Sequence, residues 1–162
     1  IKKMNFINLF LSKIYQFLIV CNYNQTKKNF KINFKNSSSF LGKNSRFFFK
    51  NPDRIKLGNN LFIGENVLIN VSRGGSVTIG DNTSLAEGVK IFTWYNESLP
   101  PIPDNIIIKD IVIGKKCRIG YNAIIMPGVT IGDSCKISPL SVVYTDVPSN
   151  GVAMGNPAEI IK

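Results

Sequence analysis

The chain has 162 residues, 44% hydrophobic and 19% charged, which suits one globular domain and is too apolar for a disordered one. It carries a formal charge of +10 and no histidine, so His-ligated metals, Ser-His-Asp triads and Cys-His dyads in their usual forms are excluded. The charge is lopsided: residues 1–50 hold ten Lys or Arg and no acid, whereas residues 51–162 hold ten of each.

From Met4 to Val20 the polar residues Asn5, Asn8, Ser12 and Gln16 recur every three or four positions, leaving an apolar face that includes Phe6, Phe10, Ile14 and Phe17. The spacing predicts an amphipathic helix. Lys13 interrupts it and no small-residue cleavage site follows, which argues against both a spanning helix and a signal peptide. Two uses stay open: a cap or packing element on the open end of a β-domain, or an anchor in an anionic membrane interface helped by Lys2, Lys3, Lys27, Lys28, Lys31 and Lys35. A solvated charge run would account for the lysines as well. Cys21, Cys117 and Cys135 form no CxxC pair and are odd in number, which fits a reducing, cytoplasmic setting better than a disulfide scaffold.

From residue 41 a short phrase returns: Leu41-Gly42-Lys43-Asn44, Leu57-Gly58-Asn59-Asn60, Ile79-Gly80-Asp81-Asn82, Ile113-Gly114-Lys115-Lys116 and Ile131-Gly132-Asp133-Ser134. Aliphatic residues also recur every six positions, as in Ile113, Ile119, Ile125, Ile131, Ile137 and Val143. Six is the period neither of a helix nor of a strand. It arises if each hexad makes one short strand and one corner, so that three hexads complete a triangular coil of 18 residues with one aliphatic per hexad pointing inward. The Gly, Asn and Asp residues after each aliphatic suit corners, because they tolerate φ > 0. Internal repetition of this kind predicts an all-β solenoid, a parallel β-helix, rather than a sandwich of strands alternating with period two. The phrases are spaced 16, 22, 34 and 18 residues apart. Against an 18-residue coil the second interval carries about four extra residues around Arg73-Gly74-Gly75-Ser76, and the third carries about sixteen around the stretch from Trp94 to Asn105. A regular solenoid folds without such a loop, so chemistry is expected there. The expected organisation is an N-terminal helix and basic cap over 1–40, a β-helix over 41–148 with its loop at about 94–105, and a C-terminal tail over 149–162.

These residues resemble the hexapeptide-repeat acyltransferases, in the maltose, galactoside and capsular-polysaccharide O-acetyltransferase branch. The resemblance covers about 41–162 and is most specific in Ile113-Gly114, Met126-Pro127-Gly128-Val129-Thr130-Ile131-Gly132-Asp133, Ser141-Val142-Val143, Asp146-Val147-Pro148 and Gly155-Asn156-Pro157-Ala158. It implies a left-handed β-helix, against the usual right-handed crossover rule, and a homotrimer. It also implies acetyl-CoA as co-substrate in a cleft between subunits, a saccharide acceptor, no metal and no nucleic acid. Carried over residue by residue, it assigns coenzyme contacts to Tyr121, Pro139, Tyr144, Thr145 and Lys162. Relatives have Gly-Ala-Gly-Ser where this chain has Ser138-Pro139-Leu140-Ser141, and Thr-Lys-Asp where it has Tyr144-Thr145-Asp146.

The resemblance also locates a departure. Where relatives carry Thr-x-x-His, the matching residues are Thr93-Trp94-Tyr95-Asn96, so Asn96 stands at the position of the catalytic base. A positioned base contributes about 10² to 10⁴ in rate, and an amide supplies none of it. Three readings stay open: O-acetyl transfer to a saccharide of a surface polysaccharide or its precursor, with Glu97 as base; N-acetylation of an amino sugar, whose free amine attacks unaided; or an inactive trimeric scaffold that binds saccharide. Trp94 and Tyr95 are expected either to stack on the sugar or to pin the loop on the coil wall. Pro100, Pro101 and Pro103 are expected to stiffen that loop.

Overall fold

One aliphatic side chain turned inward per hexad sets the path of this chain. The computed structural model describes residues 39–97 and 105–161. The expected N-terminal helix, the prolines of the loop and Lys162 lie outside the described residues. Strands of two to four residues follow one another around a three-sided tube. The first coil holds β1 (Phe40–Leu41), β2 (Arg46–Phe48) and β3 (Ile55–Leu57), and the second holds β4 (Phe62–Ile63), β5 (Leu68–Asn70) and β6 (Val77–Ile79). The third holds β7 (Ser84–Leu85) and β8 (Lys90–Phe92), leaves the tube as β9 (Trp94–Asn96) and β10 (Ile106–Ile108), and returns as β11 (Ile111–Ile113). The fourth holds β12 (Arg118–Ile119), β13 (Ile124–Ile125) and β14 (Thr130–Ile131). The fifth holds β15 (Lys136–Ile137) and β16 (Val142–Val143), and the chain ends on β17 (Val152–Gly155) and β18 (Ala158–Ile160).

Stacked coils pair in parallel, giving three faces: face A from β1, β4, β7, β12, β15 and β17; face B from β2, β5, β8, β13 and β16; face C from β3, β6, β11 and β14. This is the parallel β-helix that the hexad period predicts. Inward ladders run Ile63, Leu85, Ile119, Ile137 and Ala153 on face A, and Phe47, Ile69, Ile91, Ile125 and Val143 on face B, all buried. Burying each Val, Leu, Ile or Phe of these ladders fully contributes about 1.5–3 kcal/mol, and the ladders share one continuous core.

The corners refine the reading of the repeated phrase. The left-handed residue is the third after the inward aliphatic, as in Asn44, Asn60, Asn66, Asn82 and Asn122 with φ between 54° and 59°. Asparagine tolerates that conformation, while Lys116, Ser134 and Leu140 occupy the same position. The glycine directly after the aliphatic serves a different need. A Cβ on Gly80 would lie 2.7 Å from the Gly114 carbonyl carbon, and one on Gly120 would lie 2.5 Å from the Pro139 nitrogen. These glycines let backbones of successive coils touch, and positive φ has no part in their role.

Register corrects the phasing of the first interval. Leu41 stacks on Ile63 in face A, while Leu57 stacks on Ile79 in face C, so the 16-residue spacing compares two different faces. Each of the first two coils advances 22 residues, from Phe40 to Phe62 and from Phe62 to Ser84. The surplus leaves the tube every time at the corner between faces B and C: residues 49–54, then 71–76, then 93–110. The first excursion includes a 3₁₀ turn, Pro52–Arg54, capped by the Asn51 side chain accepting from the Asp53 N–H at 2.9 Å. The three excursions bond to one another. Arg54 Nη1 donates to Gly75 O at 3.2 Å and Ser76 N–H to Asp110 Oδ1 at 2.7 Å, while within the third Lys109 N–H donates to Thr93 O at 2.9 Å.

The segment expected as a tail instead continues the sheet. β17 pairs in parallel with β15, and β18 folds back on β17 antiparallel. Cys117 and Cys135 are free and buried; their thiols donate to Gly132 O and Pro148 O, each at 3.0 Å. Among the described residues no helix is long and apolar enough to cross a membrane.

Candidate functional site

The third excursion is rooted in Thr93. Its side chain is fully buried, with Oγ1 donating to Gly74 O at 2.6 Å, which ties the start of the long loop to the loop of the coil before. The chain then rises as an antiparallel hairpin, with Trp94 opposite Ile108, Tyr95 opposite Ile107 and Asn96 opposite Ile106. Isoleucine facing aromatic residues on such a ribbon is a favourable cross-strand pairing, so the hairpin holds its shape above the face it leaves.

Between this hairpin and face B lies an open groove of about 650 Å³. The outward side chains of face B form its floor: Asn70 and Phe92 from β5 and β8, Ile124 and Val142 from β13 and β16. Met126 and Tyr144 continue the floor at the strand ends, Trp94, Tyr95 and Asn96 make the wall, and Asn156 reaches in from the closing hairpin. Of the expected site residues, the structure therefore brings Trp94, Tyr95, Asn96 and Tyr144 into one groove although fifty residues separate them. Glu97 is exposed and outside the lining, its N–H donating to Asn105 O at 3.1 Å. Thr145 is exposed beside Tyr144 without lining the groove. Tyr121 and Pro139 are exposed on the stacked corners between faces A and B, where Leu140 N–H donates to Tyr121 O at 2.8 Å.

Trp94 is held from two sides. Its Nε1 donates to Asn70 Oδ1 at 3.2 Å, and the Arg73 guanidinium lies 4.8 Å above the ring, a cation–π arrangement. The tryptophan thus pins the hairpin to the coil and also presents surface to the groove. Asn70 Oδ1 is loaded with two further donors, Ser72 Oγ at 2.7 Å and Ser72 N–H at 3.1 Å. That network fixes which end of the amide faces which way and leaves the Nδ2 hydrogens for a ligand. Nothing in the repeated phrases marks Asn70, Phe92 or Asn156 as site residues. The available signal for the first two was position: each directly follows an inward isoleucine, Ile69 or Ile91, and so points outward.

The groove is aromatic and amide in character. Among the described residues that line it there is no Asp, Glu, Lys, Arg or Cys, and among the described residues no group of three potential metal ligands comes together. The chemistry its described lining offers is stacking and hydrogen-bond donation. Burial pushes the Cys117 thiol above its ordinary pKa, and that thiol lies in the tube, remote from this surface.

The family pattern described as bacterial transferase hexapeptide (six repeats) matches residues 110–145. The galactoside O-acetyltransferase of Escherichia coli K12 is 34% identical over 117 residues, covering 68% of this chain and 58% of that protein. This chain spans about three fifths of the length of such curated relatives. Among solved structures, a maltose O-acetyltransferase from Clostridium difficile 630 superposes with a TM-score of 0.66 at 28% identity, covering 90% of this chain and 87% of that one. A hexapeptide-repeat acetyltransferase from Vibrio cholerae O1 biovar eltor, solved with acetyl coenzyme A, gives 0.66 at 28% identity over 85% of this chain and 76% of that one.

Proposed function

From the premise that this chain carries the transferase hexapeptide repeats and has hexapeptide-repeat acetyltransferases as its relatives in sequence and structure, we propose that it transfers an acetyl group from acetyl-CoA to a saccharide, as in O-acetylation of a surface polysaccharide or its precursor. The observation that carries this reading is the groove on face B, where four aromatic side chains and three amides converge beside a hairpin that the tube does not need for folding. Such a lining suits the uncharged pantetheine arm and a sugar ring better than a nucleic acid or a metal.

In the reaction the acceptor's oxygen or nitrogen forms a bond to the thioester carbon, the C–S bond breaks, and the acceptor proton ends on the departing CoA thiol. Asn70 Nδ2, held by the load on its Oδ1, is suited to donate to the oxygen that becomes negative in the tetrahedral intermediate. Asn96 orients the acceptor or the thioester carbonyl and removes no proton. Hydroxyl transfer then relies on Glu97, which would have to swing in from outside the lining. That no described lining residue carries a carboxylate, and the chain has no imidazole, favours a second reading, an amino-sugar acceptor, because an amine attacks without prior deprotonation. An open groove also wants a second wall, which a neighbouring copy in a homotrimer would provide. Peripheral contact with an anionic membrane through the basic residues before 51 belongs to the same proposal.

The test is release of free thiol from acetyl-CoA with a panel of neutral sugars and amino sugars. Turnover with any of them supports the reading, and a preference for amino sugars selects the second. In Asn96→His, transfer to hydroxyl acceptors should rise by about 10²-fold or more. No thiol release with any acceptor, joined by no heat of CoA binding, would leave an inert scaffold.

A further inference from the structure

A second groove, of about 350 Å³, lies on the outside of face A across the third to fifth coils. The parallel register stacks the outward residues Ser84, Arg118, Lys136 and Val152 in one row. Row neighbours on adjacent strands are separated by about 4.8 Å, so two exposed cations project side by side from the same surface. Like charges in such positions repel. On face C the matching row reads Lys56, Thr78, Val112 and Thr130, and on face B it reads Arg46, Leu68, Lys90, Ile124 and Val142. Neither places two cations next to each other.

No described carboxylate relieves the repulsion. Among the described residues the ion pair is Lys115 with Asp81 at 3.8 Å, and Arg118 and Lys136 take part in none. Residues 51–162 hold as many acids as bases, so the juxtaposition is not a simple consequence of composition in this part of the chain. The hydroxyl-bearing Ser84 and Ser138 line the same groove, together with the small Ala86 and Gly120, leaving room above the sheet for a ligand. A guanidinium with a fixed fork beside a mobile ammonium, flanked by hydroxyl donors, is the chemistry that holds a phosphate or a carboxylate.

We infer that Arg118 and Lys136 form an anion subsite that binds one phosphate or carboxylate group of a reactant. The subsite deepens the proposed acetyl transfer, and rests on it only in calling the ligand a reactant. The anion has two possible sources sharing one chemistry: the phosphates of the coenzyme, or an acidic group on the acceptor saccharide. The described lining of the groove on face B supplies no charge for either.

The protein and its variant Arg118→Gln/Lys136→Gln are titrated calorimetrically at low and high salt with inorganic phosphate, CoA, glucuronate and glucose. The wild type is expected to bind phosphate with an affinity that falls as salt rises, and the double variant to lose at least tenfold of it. A parallel tenfold loss for CoA alone assigns the subsite to the coenzyme, and a loss for glucuronate but not CoA assigns it to an acidic acceptor. Lys136→Arg, which keeps the charge, should bind as the wild type does, and unchanged melting of all variants confirms that the fold is intact. Equal binding of phosphate, CoA and glucuronate by wild type and double variant, or no binding of any of them by the wild type, would overturn the subsite. Binding is read without turnover, so an inactive protein that still binds phosphate through this pair refutes acetyl transfer and leaves the subsite standing.

Discussion

The fourth coil and the corner between faces B and C obey opposite rules. In the fourth coil Ile119, Ile125 and Ile131 step inward every six residues without interruption, and each is at most 2% exposed. At the B–C corner three successive coils leave the tube, each further than a bare turn requires, and their side chains spend hydrogen bonds on one another rather than on the core. Because every excursion exits at one corner, they pile into a single ridge beside face B, and the third of them becomes a groove wall. Scattered over three corners, the same insertions would make three small bumps.

Truncating the tube should do the greatest damage. Ile125→Ala removes buried methyl groups from the face B ladder, where the side chain is 0% exposed, and should cost about 2–5 kcal/mol in denaturant unfolding. Tyr95→Ala, on the exposed side of the hairpin, should stay within about 0.5 kcal/mol of wild type in the same experiment while thiol release from acetyl-CoA falls. Equal destabilisation by the two would erase the distinction between scaffold and ridge.

A smaller effect is expected at Leu140, which holds φ at 62° with its side chain 71% exposed. The left-handed conformation costs an ordinary residue about 1–2 kcal/mol, so Leu140→Gly should raise the unfolding free energy by about 1 kcal/mol. Asn122, at the same corner one coil earlier, is an asparagine that already tolerates the conformation, and Asn122→Gly should change little.

The smallest effect is a pH dependence inside the tube. Desolvation raises the Cys117 pKa above 9.0 in the folded chain. Below that value folded and unfolded chains both carry the thiol, and the contribution of Cys117 is flat. Above it the unfolded chain loses the proton first, so stability falls as pH rises until the folded thiol ionises too. Denaturation at pH 8 and pH 10.5 should show a steeper loss for wild type than for Cys117→Ala; identical slopes would mean that the thiol is not desolvated.

Much of this was readable before any coordinates. Hexads of Ile, Val and Leu state which residue points inward, and Asn44, Asn60 and Asn82 mark the corners, because both preferences act within a few residues. Trp94, Tyr95 and Asn96 were visible as the start of a 16-residue surplus. Asn70 and Phe92 were not, since each looks like an ordinary residue following a core isoleucine, and nothing local says which coil will lie above it. The glycines after the aliphatics were readable as necessary and misread as to cause: the demand comes from the next coil's backbone, which their own neighbours in sequence do not reveal.

By itself the sequence determined the solenoid, its three-sided period and the place where the chain leaves it, because side-chain size and backbone conformation at each position decide those locally. The tertiary structure alone decided that Leu41 stacks on Ile63 rather than standing in phase with Leu57, that the excursions share one corner, that Tyr144 and Trp94 line one groove, and that Arg118 stands beside Lys136. Those facts depend on hydrogen bonds between coils. Stacking register is a relation between segments about 18 to 34 residues apart, and it is settled only when the backbones come into contact.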